Sequence, residues 1–100
     1  MAKTKDDLEK ERDAKLSEMD HNYQQRQSDL ENEKSKVREQ AEEKRSKGED
    51  CSAEIDRYKE LSSQQDKNFD EYKANREQVY NSYDSEISAA EKEEEEEYEY

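Results

Sequence analysis

The chain has 100 residues, of which 31 are Asp or Glu and 18 are Lys or Arg, leaving a formal charge of −13 with 49% of residues charged. Only nine residues are Leu, Ile, Val or Phe; their burial is worth on the order of 20 kcal/mol, against on the order of 100–200 kcal/mol to order such a chain. This arithmetic excludes a compact single-core globular enzyme and points to long helices or partly disordered chain.

From about residue 5 to about residue 90 nothing but Gly48 interrupts helix-compatible composition, because the sequence holds no proline and one glycine. Thr4 followed by Asp7 has the form of a capping box that would start a helix. Leu16, Tyr23, Leu30 and Val37 then recur every seven residues, and the same phase continues through Cys51, Tyr58, Gln65, Tyr72 and Val79. A second row in the C-terminal half is Ile55, Ser62, Phe69, Arg76, Tyr83 and Ala90. Two such rows make a coiled-coil seam, better formed over residues 50–90 than over residues 8–41.

At Gly48 a basic stretch (Lys44, Arg45, Lys47) gives way to an acidic one (Glu49, Asp50), with Asp50 or Ser52 available as N-cap. Cations at a helix end, glycine, then anions at a helix start form a stop-and-restart signal. The sequence therefore predicts an all-α fold: a long antiparallel helical hairpin, coiled-coil-like, over residues 1–90, with helices at about 5–47 and 50–90. Neighbours across it should have numbers summing to about 98 or 99, which pairs Leu30 with Phe69, Leu16 with Tyr83 and Leu8 with Ala90. The unchanged heptad phase across Gly48 leaves one unbroken helix as the alternative, and largely disordered chain as a third. Residues 91–100 hold a run of five glutamates where the helix dipole and mutual repulsion both oppose helix; they are expected to form a disordered acidic tail.

The chemistry is sparse. Cys51 has no second cysteine to pair with, His21 sits in a polar stretch, and no glycine-rich phosphate loop, zinc spacing or EF-hand pattern occurs. We expect no enzyme, no cofactor and no metal. Apolar runs never exceed two or three residues, so neither a membrane span nor a secretory signal is expected, and a cytoplasmic location follows (the host cytoplasm if a virus encodes the chain). Direct nucleic-acid binding is disfavoured by charge repulsion.

The charge is the informative feature. Residues 1–50 carry a net −3 and residues 51–100 a net −10. The expected partner is a basic, nucleic-acid-binding protein, bound and neutralised by charge mimicry of nucleic acid. Asp66, Asp70, Glu71, Asp84, Glu86, Glu91, Glu93, Glu94, Glu95, Glu96 and Glu97 would supply the charge, with Tyr80, off the seam, as an exposed anchor. In size and charge the chain resembles small acidic proteins encoded by viruses that disable host DNA-binding proteins, which implies a DNA-mimic inhibitor. A homodimer is expected because a hairpin with so few apolar residues is marginal. The alternative is a structural coiled-coil spacer or assembly module whose charge only keeps it soluble.

Overall fold

The computed structural model describes residues 3–98 and contains two α-helices, α1 (Lys5–Ser46) and α2 (Ser52–Tyr98). The chain is an all-α helical hairpin, as the sequence predicts.

α1 starts with the expected capping box. The Asp7 N–H donates to Thr4 Oγ1 at 3.2 Å, and the Thr4 N–H donates back to the Asp7 carboxylate at 3.3 Å. The helix ends in a Schellman motif: the Glu49 N–H donates to the Lys44 carbonyl at 2.8 Å and the Gly48 N–H to the Arg45 carbonyl at 3.1 Å. Gly48 adopts φ +72°, the left-handed conformation that this motif requires and that a side chain opposes. Asp50 then accepts the Ser52 N–H at 3.0 Å and starts α2.

The fold divides into two compact units, Asn22–Glu71 around the turn and Met1–His21 with Tyr72–Tyr100. In the turn unit Tyr23, Gln27, Leu30, Lys34, Val37, Ala41 and Lys44 on α1, and Cys51, Glu54, Tyr58, Leu61, Gln65 and Asn68 on α2, are buried or half-buried in steps of three and four, which is a heptad seam. Ser62 and Gln64 are half-buried beside it. The first expected row on α2 is found as predicted. The second is displaced by one residue, to Glu54, Leu61 and Asn68, which leaves Ile55 41% and Phe69 44% exposed. Phe69 packs on Tyr23, with ring centroids 6.2 Å apart, in place of the expected Leu30.

Polar groups occupy much of this seam and bond across it, although Gln27 Oε1 and Glu54 Oε2 are buried without a hydrogen-bond partner. Gln27 Nε2 donates to the Gln65 carbonyl at 3.2 Å, Lys34 to Gln65 Oε1 at 3.0 Å, and Asn68 to the Tyr23 carbonyl at 3.4 Å. Lys44 pairs with Glu54, which holds the Glu54 carboxyl below its ordinary range. Leu61, fully buried, is the largest apolar anchor.

The second unit follows a different period. Lys5, Glu9, Arg12, Leu16 and Asp20 on α1, and Tyr72, Arg76, Val79, Tyr83, Ile87, Ala90 and Glu94 on α2, are buried or half-buried. Their spacing repeats every eleven residues: Lys5 to Leu16, Glu9 to Asp20, Tyr72 to Tyr83 to Glu94, and Val79 to Ala90. An eleven-residue repeat averages 3.67 residues per turn, against 3.5 for a heptad, and favours the opposite supercoil sense. Leu8, Tyr83, Ile87 and Ala90 form its core, with Val79 packed against them; Leu8 and Ala90 meet as expected.

α2 continues helical to Tyr98, where a disordered tail was expected. The physical reason lies on α1. Lys5 Nζ pairs with Glu91 at 2.9 Å, and the Lys5 backbone N–H, an orphan donor of the first helical turn, bonds Glu94 Oε1 at 3.3 Å. These bonds and the burial of Ala90 tie the acidic segment to the start of α1. Residues 99–100 lie outside the described residues.

Candidate partner-binding surface

The acidic residues singled out from the sequence divide between the two units. Asp66, Asp70 and Glu71 belong to the turn unit, where all three are exposed. Asp84, Glu86 and residues 91–97 belong to the other. There Asp84, Glu86, Glu93, Glu95, Glu96 and Glu97 are exposed, while Glu91 and Glu94 are half-buried and engaged with Lys5. Lys5 is held above its ordinary value, first by its hydrogen bond to Glu91 and then by the charge of that carboxylate. Glu91 and Glu94 are thus committed to the fold, and Glu93 with residues 95–97 present free carboxylates to solvent.

By sequence the turn unit carries 14 acidic and 10 basic side chains, a net −4, and the other unit 17 and 8, a net −9. The negative charge therefore concentrates in the eleven-residue-repeat unit. It is also the unit in which carboxylates meet tyrosine hydroxyls. Tyr83 is buried and donates its hydroxyl to Glu11 at 3.0 Å, and Glu11 accepts Lys3 at 2.7 Å. Burial, then Glu11, raises the Tyr83 phenol; Lys3, then Tyr83, lowers the Glu11 carboxyl. Tyr72 donates to Asp20, which raises its phenol, while Arg76 at 2.8 Å from the same oxygen opposes that effect.

Tyr80 is half-buried. The guanidinium groups of Arg12 and Arg76 lie 5.8 and 5.7 Å from its ring centroid. Any partner contact at Tyr80 therefore meets two cations as well as the ring. Arg76 also lies 5.9 Å from the ring of Tyr72.

In the turn unit one face carries two shallow grooves that the sequence reading missed. Val37, Ala41, Cys51, Ile55 and Tyr58 line the first, rimmed by Arg38, Arg45 and Lys59 and by Glu42 and Glu54. Tyr23, Gln27 and Phe69 line the second, rimmed by Glu31 and Asp66. The signal that could have found this face is the row Ile55, Ser62, Phe69 itself, once Glu54 and Asn68 are recognised as seam residues with partners.

Cys51 is a free, half-buried thiol, and His21 is exposed. Among the described residues no cluster of three or more His, Cys, Asp or Glu could hold a metal ion, and no helix is long and apolar enough to cross a membrane. Comparison with known protein families, with curated proteins and with solved structures finds no match to this chain.

Proposed function

We propose that the chain is a non-catalytic acidic interaction protein that binds and neutralises a basic, nucleic-acid-binding protein by presenting a nucleic-acid-like array of charge. The observation that supports this reading is the charge density at the end of α2. Six carboxylates, set against Lys92 and the Lys5 ammonium paired to Glu91, leave a net −4 over residues 91–97, a helical stretch about 10 Å long. That is about one charge per 2.5 Å of axis, against about one per 1.7 Å in duplex DNA. The C-terminal end of the helix dipole adds to the same negative potential. Asp84 and Glu86 extend it along α2, and the partner's basic surface is contacted where it would otherwise contact phosphate. The protein works as a homodimer, in the cytoplasm.

Affinity capture from lysate tests this, with the intact chain and a Glu93, Glu95, Glu96, Glu97→Gln variant as baits and elution in salt steps. The expected result is a DNA- or RNA-binding protein that elutes with moderate salt and is lost from the variant. Equal capture by both baits, or a non-basic partner that resists salt, would overturn the reading. The second of these fits the alternative of an assembly module, which the exposed Ile55 and Phe69 favour.

A further inference from the structure

The grooved face of the turn unit has an internal symmetry. Along α2 its residues are Ile55, Lys59, Ser62, Asp66 and Phe69, spaced four, three, four and three. Ile55 and Phe69 are the exposed large apolar residues, each seven positions from Ser62, which is half-buried. Lys59 and Asp66 are exposed, opposite in charge and placed on either side of the same serine; among the described residues neither forms an ion pair. Reversed, the row meets its complement to within one residue: Ile55 and Phe69 are centred on Ser62, and Lys59 and Asp66 lie three and four residues from it.

We propose that this face binds the same face of a second copy, with the two α2 helices antiparallel and the dyad at Ser62. Reversal about Ser62 sets Ile55 of each copy level with Phe69 of the other and Lys59 one residue, about 1.5 Å of rise, from Asp66, within reach of the lysine stem, so both contacts occur twice. The rims agree with this orientation. The groove that holds Ile55 is edged by Arg38, Arg45 and Lys59 against Glu42 and a Glu54 already paired with Lys44, a net positive rim, whereas the groove that holds Phe69 is edged by Glu31 and Asp66. An antiparallel pair lays the basic rim of one copy on the acidic rim of the other, while a parallel pair opposes like charges. On α1 the same operation brings Arg38 toward Glu31. Ser62, small and half-buried, lets the two helices approach where they cross. An isologous contact of this kind closes on itself and forms a dimer, not a filament. The polar seam behind this face supplies little apolar burial of its own, so covering Ile55 and Phe69 adds the apolar contact that one hairpin lacks.

This assignment specifies the homodimer within the proposed function but does not depend on the acidic end of α2. The two fail separately, because the capture experiment alters only residues 93–97 and the following one only the turn unit.

The test combines sedimentation with cross-linking, and circular dichroism confirms that each variant keeps its helicity. Lys59→Asp alone should weaken dimerisation about tenfold or more, since it replaces two attractions by two repulsions. Adding Asp66→Lys should restore it to within about threefold of the original. In a Cys51→Ser background, Ile55→Cys should form a disulfide with Phe69→Cys when the two are mixed, Ser62→Cys should link to itself, and Ile55→Cys alone should not. Self-linking of Ile55→Cys, failure of the double charge swap to restore association, or a monomer up to about 100 μM would each overturn the proposal, the last leaving the face to a foreign helix.

Discussion

The Lys5 backbone N–H donates to Glu94 Oε1 at 3.3 Å, joining the first turn of α1 to a residue 89 positions away in the acidic stretch of α2. A carboxylate at a helix N-terminus satisfies an orphan donor and complements the positive end of the dipole. Residues 91–97 therefore play two parts. Glu91 and Glu94 hold the helix in place, and the carboxylates beside them remain exposed.

Neutralising those exposed groups separates charge from structure. Glu95, Glu96 and Glu97→Gln together remove mutual repulsion and an unfavourable dipole interaction. Thermal unfolding should shift upward by on the order of 2–5 °C, while capture of the basic partner falls. Lys5→Ala should do the reverse to the fold, reducing helicity at the end of α2. If neutralisation lowered the melting temperature, the exposed carboxylates would be serving the fold.

Leu61 and Ile55 lie six residues apart on α2 and should behave oppositely. Leu61 is fully buried, and Leu61→Ala should cost about 2–4 kcal/mol of unfolding free energy in urea titration. Ile55 is 41% exposed, and Ile55→Ala should leave the unfolding of the isolated hairpin within about 0.5 kcal/mol of the original. A large loss from Ile55→Ala at concentrations where the chain is monomeric would mean that the seam runs through Ile55 after all.

Gly48→Ala isolates backbone conformation from sterics. A Cβ at this position would meet nothing within 4 Å, but φ is +72°. The expected cost is about 1 kcal/mol, entirely from forcing a side chain into the left-handed region, read as a lower urea midpoint with unchanged slope. Unchanged stability would show that the turn does not need this conformation.

Stability should fall on both sides of neutrality. Lys3 and then Tyr83 lower Glu11, Ser52 lowers Asp50, and Lys44 lowers Glu54. A carboxyl lowered on folding contributes stability that is full above its unfolded value and lost as pH falls through its folded one. Tyr72 and Tyr83 are raised, so their contribution is full below the ordinary phenol range and lost as pH rises through and beyond it. Urea midpoints measured across pH should decline at both ends, and Glu54→Gln should flatten the acid limb. An acid limb unaffected by that change would remove the Lys44 pair as its source.

The start of each helix and the end of α1 were legible in the sequence because their signals are local, whereas the end of α2 was set by Lys5 on the other helix. Thr4 with Asp7, Gly48 and Asp50 each act within one turn of chain, and the structure shows their hydrogen bonds. The second seam row on α2 was not legible, because hydropathy favours Ile55 and Phe69 over Glu54 and Asn68. Only the Lys44 side chain and the Tyr23 carbonyl, supplied by the other helix, make those polar residues suitable for the seam. The change from a seven- to an eleven-residue repeat was hidden for a related reason: Tyr72 to Val79 fits the first, Tyr72 to Tyr83 fits the second, and burial alone decides between them. For the acidic surface, composition identified the residues but not that Lys5 withdraws Glu91 and Glu94 from it.

Displacement of the captured partner by duplex DNA, at constant ionic strength, tests the proposed function most directly. If the acidic end of α2 occupies a nucleic-acid site, a short duplex should release the partner in proportion to its concentration. A partner that stays bound while it takes up duplex DNA would contradict competition for one basic surface, and with it the reading of this chain as a nucleic-acid mimic.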